Sequence, residues 1–199
     1  MAARLRFLIA AIALAGGTAP LGAQNFSNSY AFIKAVKDRD GVKVTSVLAE
    51  PGSTAASAKE PGTGNGALHL VAMDRDLGWL AFLLSKGLKV DARNAEGLSA
   101  LGIAAQLGWV EGAELLAGRG ATVDLPNNRG ETPLILAVQK RDHGMVRLLL
   151  ARGADAGRTD NVAGLSALDY ARRDGRAAAI VKLLEAPRTG AKKMQGPTL

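Results

Sequence analysis

Cysteine is absent from the 199 residues, histidine occurs twice, and aromatic side chains make up only 4% of the chain. Without cysteine there is no disulfide framework, no thiol nucleophile and no thiolate ligand for a soft metal. An excess of one charge is also missing once the two ends are set aside. Residues 24–187 hold 20 Lys and Arg against 18 Asp and Glu, although the whole chain carries +7. A body so near neutrality is a poor polyanion surface, and nucleic acid is not an expected partner. Long hydrophobic runs are lacking too. The longest, at residues 7–15, falls well short of the roughly 20 residues that span a bilayer, so stable membrane insertion is not expected.

What is present begins with a segment unlike the rest. In MAARLRFLIAAIALAGGTAPLGA, residues 1–23, Arg4 and Arg6 precede a short apolar core, and a small-residue stretch ends at Ala23. This order reads as a secretory signal peptide cut before Gln24, and the apolar core is too short for an uncleaved anchor. No cysteine follows it to carry a lipid. The expected location is the periplasm, or the medium if the chain is fully secreted.

Beyond the leader the sequence repeats. Gly64, Gly97, Gly130 and Gly164 open GNGALHLVA, GLSALGIAA, GETPLILAV and GLSALDYAR, at intervals of 33, 33 and 34 residues. A second series, LLSKGLKVD, LAGRGATVD and LLARGADAG, places Gly87, Gly120 and Gly153 33 apart in the same register. In each unit Gly66, Ser99, Thr132 or Ser166 stands at a helix start, and a leucine two positions on (Leu68, Leu101, Leu134, Leu168) faces inward. Pro133 suits the first helical position, where no N–H is needed. Breaks around 74–76, 108, 141–144 and 175 turn the chain into a second helix ending in paired leucines. The glycines that follow suit left-handed helix ends. Such short helices bury an apolar face only by stacking on neighbours.

The period, the Thr-Pro-Leu start, the paired leucines and the Gly-Ala-Asp after them resemble ankyrin repeats over residues 27–187. The resemblance implies an all-α ankyrin-repeat solenoid of about five helix-turn-helix units, at 27–54, 61–93, 94–126, 127–159 and 160–187, with hairpin-like connections and the outer two units as caps. Residues 50–65, EPGSTAASAKEPGTGN, are too long for such a connection and are expected to project as a flexible loop; 188–199 form a basic tail. His69 occupies the motif histidine, which the family uses as a hydrogen-bond bridge. Gly102, Ile135 and Asp169 stand at the equivalent places.

No catalytic chemistry emerges. The two histidines, His69 and His143, lie two repeats apart, roughly 20 Å if packed helices are ~8 to 10 Å apart, so they cannot share a metal or a reaction centre. GTGNG lacks the spacing of a nucleotide loop, no serine sits in a nucleophile elbow, and Asp38 with Asp40 and Asp74 with Asp76 read as turn residues. Neither enzyme activity nor a cofactor or metal site is expected, and the chain reads as a monomer that binds a protein. The family's concave side then implies Met73, Asp74, Gln106, Leu107, Gln139, Lys140 and Arg173 from the first helices, with Arg93, Glu96, Leu98, Arg129 and Glu131 from the tips, as partner-binding residues. A role supporting a periplasmic stress-protective enzyme is a narrower form of this reading. A hydrolase would need a catalytic group that the sequence does not offer.

Overall fold

A computed structural model describes residues 21–186, with side chains from 28 onward. Residues 1–20 of the expected leader and the tail 188–199 lie outside the described residues. Among the described residues ten α-helices run in five pairs: α1 (Leu21–Lys37) with α2 (Gly41–Ala49), α3 (Ala67–Met73) with α4 (Leu77–Ser85), α5 (Ala100–Leu107) with α6 (Val110–Gly118), α7 (Pro133–Gln139) with α8 (His143–Ala151), and α9 (Ala167–Arg173) with α10 (Ala178–Glu185).

The helix starts follow from their capping residues. The hydroxyls of Ser99, Thr132 and Ser166 accept the backbone N–H three residues on, at Gly102, Ile135 and Asp169, and Pro133 opens α7. Three of the second helices use carboxylates instead. Asp40, Asp76 and Asp142 accept from Lys43, Trp79 and Met145, which gives the acidic turns a capping role. Gly87, Gly120 and Gly153 take φ of 80°, 85° and 90° at the ends of second helices.

Stacking supplies the core. First helices pack along one layer, α3 on α5, α5 on α7 and α7 on α9, more closely than second helices pack on one another, so they form the inner, shorter arc. Leu101, Leu116, Leu134, Ile135, Met145 and Leu149 are fully enclosed between units. Leu168, expected inside, is only half-buried, because no unit after α9 and α10 covers it among the described residues.

The connections also stack. The N–H groups of Ala95, Asn128 and Asn161 donate to the carbonyls of Thr63, Glu96 and Arg129 at 3.0, 2.9 and 2.8 Å, tying each tip to the next. Residues 50–65 do not project as expected. A single 3-10 turn at Ala55–Ser57 lies against α1 and α2, Ala55 and Ala58 are buried, and Lys59 bridges to Gly66. The two alanines fit the gap beside α1, and Glu60 pairs with Lys37, so burial and charge hold the insertion down.

Candidate interaction surface

The inner layer carries a groove of about 300 Å³ between the second and third units. Met73 from α3 and Gln106 with Leu107 from α5 form its helical side. Thr63, Asn65 and Glu96 form its tip side, with Leu98 and Ile103 at its base. Met73 is 43% exposed and Leu107 37%, so each offers apolar surface at the end of its helix. The groove is thus apolar in the middle and polar at the rim, the arrangement of a protein-binding patch.

Of the sequence-derived residues, Met73, Glu96, Leu98, Gln106 and Leu107 line this groove, and most of the set is exposed. Met73, Asp74, Arg93, Glu96, Gln106, Leu107, Arg129, Gln139, Lys140 and Arg173 are all exposed. Two are not. Leu98 retains 5% exposure and Glu131 6%, so neither can be a protruding contact. Leu98 is the floor of the groove and its carbonyl receives the His69 ring. Glu131 is held by Asn127 Nδ2 at 2.8 Å and Gln139 Nε2 at 3.2 Å, with Arg129 nearby at 3.6 Å. Burial without such partners would cost a carboxylate several kcal/mol. Arg93 and Asp74 are exposed but committed: Arg93 donates to the carbonyls of Gly97 and Pro126, and Asp74 receives Arg39 at 2.8 Å.

His69 is completely enclosed and both ring nitrogens are engaged. Gly66 N–H donates to Nδ1 at 3.1 Å, so Nε2 carries the hydrogen and donates to Leu98 O at 2.9 Å, joining the second unit to the third. Burial holds its pKa below the ordinary 6.5, against the pull of its backbone partners. Asp169, at the equivalent place, instead reaches back only to Ser166. Within the last unit the polar links gather on Asp160. Burial pushes its carboxyl up, but the Tyr170 hydroxyl, donating at 2.6 Å, and three backbone N–H groups hold it below the usual range.

Sequence reasoning missed one series. Arg39, Arg75 and Arg141 take left-handed φ of 58°, 54° and 56° between paired helices, where Gly108 serves in the third unit. Each arginine reaches the following unit: Arg39 to Asp74 and Asp76, Arg75 to Leu107 O at 2.6 Å, and Arg141 to Asp174 at 3.1 Å. The signal was their spacing, 33 before and after Gly108, read only as a turn.

Stacked helix pairs braced at tips and turns, with a mixed groove on the inner layer, define a helical repeat protein of the interaction type. The chain is an ankyrin-repeat protein. A family model for ankyrin repeats (many copies) matches residues 115–171. The chain is 34% identical over 142 residues to a putative ankyrin repeat-containing protein of Treponema pallidum, covering 71% of this chain and 46% of that one. It is 38% identical over 117 residues to the B-cell lymphoma 3 protein homolog of Mus musculus, covering 56% and 26%, and 40% identical over 77 residues to Protein PhlB of Serratia liquefaciens, covering 38% and 34%. The chain thus spans less than half the length of these curated relatives. Ankyrin repeats make it a protein–protein interaction module, and proteins built from them are generally not enzymes. No helix among the described residues is long and apolar enough to cross a membrane.

Proposed function

We propose that the chain binds one protein partner on the concave first-helix layer, in the cell envelope, and that the groove between the second and third units receives a protruding apolar side chain of that partner. The observation that carries this reading is the exposed pair Met73 and Leu107 flanking a groove whose rim is polar. Desolvating two such side chains against a partner contributes on the order of 1 to 3 kcal/mol, enough to anchor an interface whose other contacts are near neutral. The envelope location is supported by Arg4, Arg6 and the apolar core of the leader.

The test combines crosslinking in the native compartment with a double substitution. Met73→Glu with Leu107→Glu replaces two exposed side chains, so stability is expected to change by no more than about 0.5 kcal/mol each. Capture of the wild-type partner is expected to drop by about tenfold or more. Undiminished capture by the folded double variant moves the site off this groove. N-terminal sequencing of the mature chain tests export, and an intact Met1 there sinks that part of the proposal.

A further inference from the structure

A second recess, of about 210 Å³, shares no lining residue with the groove. The insertion 50–65 builds one wall and the stem after α4 builds the other. The two walls are fastened together: Lys59 Nζ donates to Arg93 O at 2.6 Å. Buried Ala58, Leu68 and Leu88 make the recess apolar inside. His69 stands behind this lining, fully enclosed and with both ring nitrogens taken, and adds no charge to it.

The charged lining is of one sign. Lys59, Lys89 and Arg93 contribute cations, no carboxylate lines the recess, and none of the three forms an ion pair among the described residues. Lys59 and Arg93 are fixed by carbonyls, which neutralise no charge, and the Lys89 ammonium makes no hydrogen bond among the described residues. Of the nearby carboxylates, Glu60 is paired with Lys37, and Asp91, which keeps its charge, lies outside the lining and is held by the Thr122 N–H and hydroxyl. An apolar interior under a positive rim selects a ligand of the same build.

We propose that this recess binds a small amphipathic anion, a carboxylate or phosphate head on a short aliphatic body. The body lies on Ala58, Leu68 and Leu88, and the head meets the ammonium groups of Lys59 and Lys89. Because both ammonium groups are exposed, binding weakens as salt rises.

The test is an NMR titration of the full chain with hexanoate, hexyl phosphate, hexanol and inorganic phosphate, read at the amides of residues 57–59 and 88–93. At least one of the two amphipathic anions is expected to give saturable shifts by about 10 mM, binding about tenfold more tightly than hexanol and inorganic phosphate. Which of the two does so identifies the head group. Lys89→Gln removes a side chain without hydrogen bonds, so the fold is kept, and affinity is expected to fall by about threefold or more; Lys59→Gln removes the second charge and should act in the same direction. Failure of both anions to saturate, equal binding of hexanol, equal binding of inorganic phosphate, or an unchanged affinity in Lys89→Gln overturns the proposal.

Discussion

At the scale of single residues, local propensity and packing pull in opposite directions at Gly112. Glycine in the middle of α6 costs about 1 kcal/mol against alanine. Yet a Cβ at 112 would overlap the Trp109 ring, which is itself buried and stands where aspartate caps three of the other second helices. Gly118, at the end of the same helix, has open space around its missing Cβ. Urea unfolding is therefore expected to rank Gly112→Ala below wild type, by about 1 to 3 kcal/mol of overpacking less the propensity gain, and Gly118→Ala level with or above it. A stabilised Gly112→Ala would refute the packing of Trp109. Trp79, by contrast, is half-buried beneath Arg39, whose guanidinium lies 5.5 Å from the ring centre, and meets Phe82 edge-on at 5.1 Å. Both tryptophans are packing residues, as their positions in second helices suggest.

Among the elements, the tips decide how neighbouring units register. Gly130 and Gly120 both take positive φ, 79° and 85°, so alanine at either costs about 1 kcal/mol or somewhat more for the left-handed backbone. Their surroundings differ. A Cβ at Gly130 would stand 2.6 Å from the backbone nitrogen of Asn161, the same nitrogen that donates to Arg129 O, whereas Gly120 faces open space. Gly130→Ala is expected to be the more destabilising by at least about 1 kcal/mol, the value of one displaced tip-to-tip bond. Equal losses in parallel denaturation curves would mean that the tips do not bear on stacking. The insertion illustrates the same rule from the other side. Its length and Pro-Gly content announced a connection out of register, while the alanines that hold it against α1 carry no local signal, because burial is settled by the partner surface.

For the molecule as a whole, the stack resists dissolution through interfaces between adjacent units, and each interface can be tuned separately. The one between the second and third units depends on a neutral His69. Above the unfolded value of 6.5 the ring is neutral in both states and its contribution is complete. As pH falls below 6.5 the unfolded chain takes up the proton first, since burial depresses the folded value, and stability declines toward that lower folded value. Melting followed from roughly pH 7.5 down to 5, above the range where carboxylates titrate, is expected to show this decline in the wild type. His69→Gln should start less stable at the upper end and follow a flatter course. A wild-type profile as flat as the variant's would rule out a buried neutral ring as the link.

The sequence by itself determined the period, the helix starts at Ser99, Thr132, Pro133 and Ser166, and the left-handed glycines at helix ends, because capping and backbone conformation act within a few residues; the bridging role of His69 was legible only through the family resemblance, since Leu98 lies 29 residues on. It also pointed to the first-helix ends and the tips as a candidate binding face. Only the tertiary structure decided which residues of that face are free. Leu98 and Glu131 belong to the repeat pattern like their neighbours, but stacking encloses one as a floor and draws the other into hydrogen bonds with Asn127 and Gln139. It alone also folded residues 50–65 back to form the cationic recess, and sent the left-handed arginines to the next unit, since exposure and pairing across units depend on surfaces about 33 residues apart that no local pattern encodes.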